Sequence, residues 1–152
     1  MSIFQENILK VGKKMKKNTV MLLLCRRVIA DLLIESIEKN GGVVAFGVYK
    51  YENAVYSAAV YMPDIALVEI PENYGTPALD TLEICENVKE TSPGCKIVLL
   101  CPEQDKKSVH ICVEAKKQGK VEDFLFYDSG VDYLVSKLEA LYPDIEEEPI
   151  RA

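Results

Sequence analysis

The sequence has no apolar run approaching the roughly 20 residues that a membrane-spanning helix needs, no C-x-x-C pair, one histidine (His110) and no surplus of positive charge, the net charge being −6. The first shortage excludes a helical membrane span, and the second removes the usual cysteine-cluster metal site. The acidic balance rules out a nucleic-acid footprint over the whole surface and leaves room only for a local patch. A phosphate cradle is missing too. After the first apolar run the chain reads "CRRVIAD", with no Gly/Ser/Thr-rich loop to hold a flavin or a nucleotide. The glycines of "NGGVVAFG" precede and lie within a strand instead of bridging strand to helix, and the sole histidine sits mid-helix, which leaves cobalamin without support.

What is present is the material of one domain. The chain has 152 residues, 49% of them apolar and 28% charged, which is enough to bury a two-sided core in a soluble globular protein. Five cysteines, Cys25, Cys85, Cys95, Cys101 and Cys112, are odd in number and lie in apolar segments, so they read as reduced core thiols of a cytoplasmic protein. From Met15, "MKKNTVMLLLC" mimics a lipoprotein signal. Its apolar part is too short, Leu24 is not small, and an amphipathic segment follows at once.

Five short apolar runs, at 19–25, 43–48, 64–70, 95–101 and 121–126, read as strands. Helical periodicity lies between them. The first helix carries Val28, Ile29, Leu32, Leu33 and Ile37 on one face and ends before Gly41-Gly42; the second, near 51–61, is rich in alanine. The third opens at Thr76-Pro77 and closes at "SPG", the fourth runs from about 103 to 118, and the fifth starts at Asp128 or Ser129 as cap, with Val131, Leu134, Val135, Leu138 and Leu141 on one stripe. Strict alternation of apolar strands and helices predicts a flavodoxin-like, doubly wound α/β domain. Its parallel five-stranded sheet has the order 2-1-3-4-5, helices on both faces, and its site beyond the carboxyl ends of the strands.

Those ends carry Cys25 and Arg26 after the first strand, Glu69 at the third, Cys101 at the fourth and Tyr127 and Asp128 after the fifth. On this order and spacing, and on "PDIALVEI" as a strand closing on an acid, residues 19–142 resemble the receiver domain of two-component response regulators. In that family an acidic pair after the first strand binds Mg²⁺, an aspartate ends the third and accepts a phosphoryl group, a Thr or Ser ends the fourth and a Lys-Pro follows the fifth. The resemblance makes Glu69 the degenerate phospho-acceptor equivalent, and Cys25, Arg26, Cys101, Tyr127 and Asp128 the other site positions. All depart from the pattern. Mg²⁺ demands hard oxygen ligands, which a thiol and a guanidinium do not supply, and a glutamate misplaces the acceptor by one methylene.

The expectation is therefore a non-enzymatic pseudo-receiver with no metal or cofactor, Arg26 pairing with Glu69 across neighbouring strands about 4.8 Å apart. The plainer alternative makes Glu69 a strand-end carboxylate facing water or a helix amino terminus. Tyr127 is expected either to cover the pocket, to offer its hydroxyl to Glu69, or to be a surface tyrosine. Cys25 and Cys101, with a strand between them, should stand about 10 Å apart, beyond disulfide reach. His110 and Cys112, two apart on a helix, point away from each other and cannot share a metal.

With about ten residues after its last helix, too few for an effector domain, the module is expected to be stand-alone, and by the resemblance to signal through protein contacts. The partner is a sensor kinase or downstream regulator, or a second copy in a homodimer. The competing readings are an enzyme or small-molecule binder on the same fold, and a receiver phosphorylated elsewhere, at Asp64 or Asp128. Residues 1–18 form a basic extension. Phe4, Ile8, Val11 and Met15 recur at helical spacing, with lysines at 10, 13, 14, 16 and 17, as expected of a helix docking on its own domain, on a second subunit or on an anionic membrane, the alternative being a disordered leader. Residues 143–152 read as a solvated acidic tail.

Overall fold

The computed structural model describes residues 17–72 and 77–144. Five parallel strands, β1 (Asn18–Leu23), β2 (Val43–Val48), β3 (Ile65–Glu69), β4 (Lys96–Cys101) and β5 (Asp123–Phe126), lie in the order β2-β1-β3-β4-β5. The helices between and after them are α1 (Arg27–Glu38), α2 (Ala54–Tyr61), α3 (Pro77–Thr91), α4 (Lys106–Lys117) and α5 (Val131–Glu139).

Strand alternation divides the core into two layers. Met21, Leu23, Ala66, Val68, Ile97, Leu99 and Cys101 face the layer that holds the buried side chains of α2, α3 and α4. Val20, Leu22, Leu24, Ile65, Leu67, Val98 and Leu100 face the layer of α1 and α5. The central strands are apolar on both sides because both sides are covered. Each layer is sealed by helices whose buried positions recur every three or four residues, such as Ala30, Leu33 and Ile37 on α1 and Leu134, Val135 and Leu138 on α5.

Three boundaries differ from the sequence expectation, each for a local reason. Tyr51–Asn53 and Tyr127–Ser129 form single 3₁₀ turns, so α2 and α5 begin later than the periodicity alone suggests. The cap of α5 is Gly130, at φ 81°, with no side-chain hydrogen bond, and neither Asp128 nor Ser129 takes that role. Helix α4 starts at Lys106 because Asp105 caps it, its carboxylate accepting from the Ser108 amide (3.4 Å) and from the Ser108 hydroxyl (2.8 Å). The expected cap at Thr76, the amphipathic stretch before Lys17 and the tail beyond Asp144 fall outside the described residues.

Candidate functional site

The site forms where α1 and α5 begin, at the carboxyl edge of the sheet. Alternation along β3 puts Ile65, Leu67 and then Glu69 on the α1/α5 side, and register sets Glu69 opposite Leu100 at the sheet's end. Arg26 is the residue before α1, and Tyr127 stands in the turn before α5. The two meet at one oxygen of the carboxylate because their helices pack together on that face.

Glu69 is 3% exposed, yet both its oxygens are engaged. Oε1 accepts from the Cys25 amide at 2.8 Å. Oε2 lies 2.5 Å from the Tyr127 hydroxyl and 3.4 Å from Arg26 Nη2. The Tyr127 hydroxyl also lies 2.8 Å from the carbonyl of Ile70. The Arg26 guanidinium rests over the Tyr127 ring, 4.7 Å from its centroid, in cation–π contact. Burial alone would lower the Arg26 pKa; contact with Tyr127 and the Glu69 charge outweigh it and hold the cation more firmly than in free arginine. Burial, then the bond to Glu69, raises the Tyr127 pKa.

The Arg26–Glu69 pair is thus present, but it is not a two-bonded fork. A backbone amide occupies Oε1, which leaves the half-exposed arginine a single long contact. Tyr51 is a member that reading the strand ends omits. Its hydroxyl donates to the Glu69 carbonyl and lies 3.2 Å from that of Leu23 and 3.6 Å from Cys25 Sγ, and its pKa is raised, chiefly by burial. It stands three residues past the end of β2, beyond the carboxyl end of a strand like the other members, and that position is its signal in the sequence.

Cys101 does not join the constellation. Alternation turns Leu100 toward α1/α5 and sends Cys101 into the opposite layer, fully buried with Cys112 of α4. Asp128 is exposed and lines a shallow open depression with Arg26, Glu72, Glu103, Gln104 and Tyr127. Asp64 lies at the other end of β3, where its carboxylate accepts from the Thr19 amide at 2.8 Å.

No family model and no curated protein matches the chain. Among solved structures it is similar to a response regulator from Thermotoga maritima (18% identity, 82% of this chain and 97% of that one, TM-score 0.65). It is also similar to the signal receiver domain of a modulated diguanylate cyclase from Desulfovibrio desulfuricans (25%, 83% and 94%, TM-score 0.63) and to a CheY-like protein from Pseudomonas aeruginosa (17%, 82% and 99%, TM-score 0.60). The chain has the receiver-domain fold.

On that fold the donor set does not suit Mg²⁺. Beyond the end of β1, Cys25 and Arg26 bring a thiol and a guanidinium, and the oxygens of Glu69 are engaged by an amide, a hydroxyl and a cation. Among the described residues no group of three or more His, Cys, Asp or Glu side chains is arranged to hold a metal ion.

Proposed function

We propose that the chain is a receiver-like signalling module that acts by protein contact without phosphorylation, with Glu69 at the phospho-acceptor position of a degenerate site. The observation that carries this is the engagement of both Glu69 oxygens, Oε1 by the Cys25 amide and Oε2 by Tyr127 and Arg26. A phosphoryl acceptor needs an oxygen free to attack in line and a divalent ion beside it to neutralise developing charge. Here a guanidinium occupies the ion's place, and attack through Oε2 first requires Tyr127 and Arg26 to leave. The same contacts tie the starts of α1 and α5 to the end of β3 and hold the fold in one state. The alternatives of phosphorylation at Asp64 or Asp128 find less support. Asp64 is bonded at the far end of the sheet, and Asp128 stands in solvent beside Arg26 with no acidic ligand set.

In this reading the module is cytoplasmic and not an enzyme. It has no cofactor, and its partner is a sensor kinase, a downstream regulator or a second copy. Incubation with Mg²⁺ and acetyl phosphate, followed by intact mass measurement, tests it. The unmodified mass is expected, and a stoichiometric phosphate adduct on Glu69, Asp64 or Asp128 overturns the proposal.

A further inference from the structure

Among the described residues, α2 is the one α-helix that carries no charge along its length, "AVYSAAVY", and its outer face is apolar where a surface helix is ordinarily polar. Ala54 and Ala58 are buried beneath it, while Tyr56 is 74%, Val60 54%, Tyr61 57% and Met62 55% exposed. Tyr56 and Val60 are one turn apart, and the Tyr61 ring lies 4.5 Å from that of Phe46 on the edge strand β2. Val44, 40% exposed and two residues before Phe46, extends the same strand face. The Phe46–Tyr61 contact joins the exposed face of α2 to the start of β2 as an apolar patch, a feature that marks interaction surfaces.

The chain enters the domain at this patch. The Asn18 amide donates to the Gly42 carbonyl, just before β2. Thr19 and Asp64 exchange amide-to-carboxylate and amide-to-carbonyl bonds at 2.8 Å, two residues beyond Met62. Lys17, exposed, therefore leaves the sheet between Val44 and the end of α2. The residues before it repeat Phe4, Ile8, Val11 and Met15 at spacings of four, three and four, and residues 1–16 hold four lysines against one glutamate. Beside α2, helix α3 has Asp80, Glu83, Glu86 and Glu90 against a single lysine, and Asp80, Glu83 and Glu90 form no ion pair among the described residues.

We infer that residues 1–16 dock their apolar stripe on the face formed by Val44, Tyr56, Val60, Tyr61 and Met62, with their lysines toward the acidic α3. Wound as a helix, Phe4 to Met15 spans about 16 Å and α2 about 12 Å, so a segment tethered at Lys17 reaches along the whole patch. The match is apolar against apolar and basic against acidic, and the tether raises the local concentration of the segment far above that of any free partner.

Limited trypsin digestion of the full chain reads the docking directly, because Lys10, Lys13 and Lys14 become cleavable only when the segment lifts. Val60→Asp on α2 and Ile8→Asp on the segment are each expected to speed cleavage at those lysines by at least about tenfold, since proteolysis follows the population of the open form. Protection is expected to stay constant over a roughly hundredfold range of protein concentration, as an intramolecular contact requires. Circular dichroism shows that each variant is folded, and Ile8→Asp, which lies outside the domain body, keeps the test valid should Val60→Asp disturb it. Cleavage unchanged by either variant overturns the inference. Protection that grows with concentration also overturns it and assigns the patch to a second copy.

Discussion

At the scale of single residues, the candidate site shows why a buried carboxylate can end an apolar strand. Isolated, an ionised Glu69 would carry a desolvation penalty of several kcal/mol. An amide, a hydroxyl and a guanidinium replace the lost water. These partners are not equal. Tyr127 lies over half buried with a hydroxyl at 2.5 Å, whereas Arg26 is half exposed at 3.4 Å, where solvent screens the charge. Tyr127→Phe is accordingly expected to lower unfolding stability by about 1–3 kcal/mol, because it leaves Glu69 short of a partner. Arg26→Gln should cost less than about 1 kcal/mol. Urea denaturation of the two variants checks the order, and a larger loss for Arg26→Gln would show that the ion pair dominates.

At the scale of the element, β2 illustrates how an edge strand is protected. Its outward amide at Ala45 is taken by the Glu38 carboxylate at 3.3 Å, and Tyr49 folds back across Gly47 with its ring under Arg27, 4.3 Å from the guanidinium carbon. A Cβ at position 47 would overlap the end of the Tyr49 ring. Gly47→Ala, ordinarily favourable within a strand, should here cost about 1 kcal/mol by displacing that ring. The loss should vanish when Gly47→Ala is measured in a Tyr49→Ala background, a double-mutant cycle that isolates the contact. The same local reasoning explains the displaced helix starts. Periodicity marks where a helix has an apolar face, but the 3₁₀ turns at 51–53 and 127–129 answer to Tyr51 and Tyr127 reaching back to β3, which periodicity cannot register.

At the scale of the whole molecule, the apolar layer that holds the buried side chains of α2, α3 and α4 explains the thiols. Cys85, Cys95, Cys101 and Cys112 are all buried, and only Cys25 is exposed. Burial pushes Cys85 and Cys95 up to about 12. Cys112 is raised by hydrogen bonding with the Cys101 thiol and by burial. In the native chain a small aromatic disulfide reagent at pH 8 should titrate Cys25 rapidly and the other four only on unfolding, since thiolates react and buried thiols do not. Two rapid thiols would mean that one layer opens. The linkage follows in sign: an unfolded thiol ionises near 9 while Cys85 and Cys95 hold their protons to about 12, so the unfolded state binds fewer protons in that window and stability falls as pH rises through it.

Alternation of apolar strands with amphipathic helices was sufficient to determine the doubly wound class, the strand order and the end of the sheet where a site would lie, because each layer must bury what the sequence makes apolar. It also placed Arg26 within reach of Glu69, since β1 and β3 are neighbours in that order, and left Tyr127 between a site role and a surface one. Only the tertiary structure decided which atoms meet. The backbone amide of Cys25 displaces one arm of the guanidinium, Tyr51 arrives from the turn after β2, and Cys101, assigned to the site by its position at a strand end, is turned into the core by the pleat. Those outcomes depend on directions a few ångströms long, set by side-chain alternation and helix packing in three dimensions, and a one-dimensional pattern does not carry them.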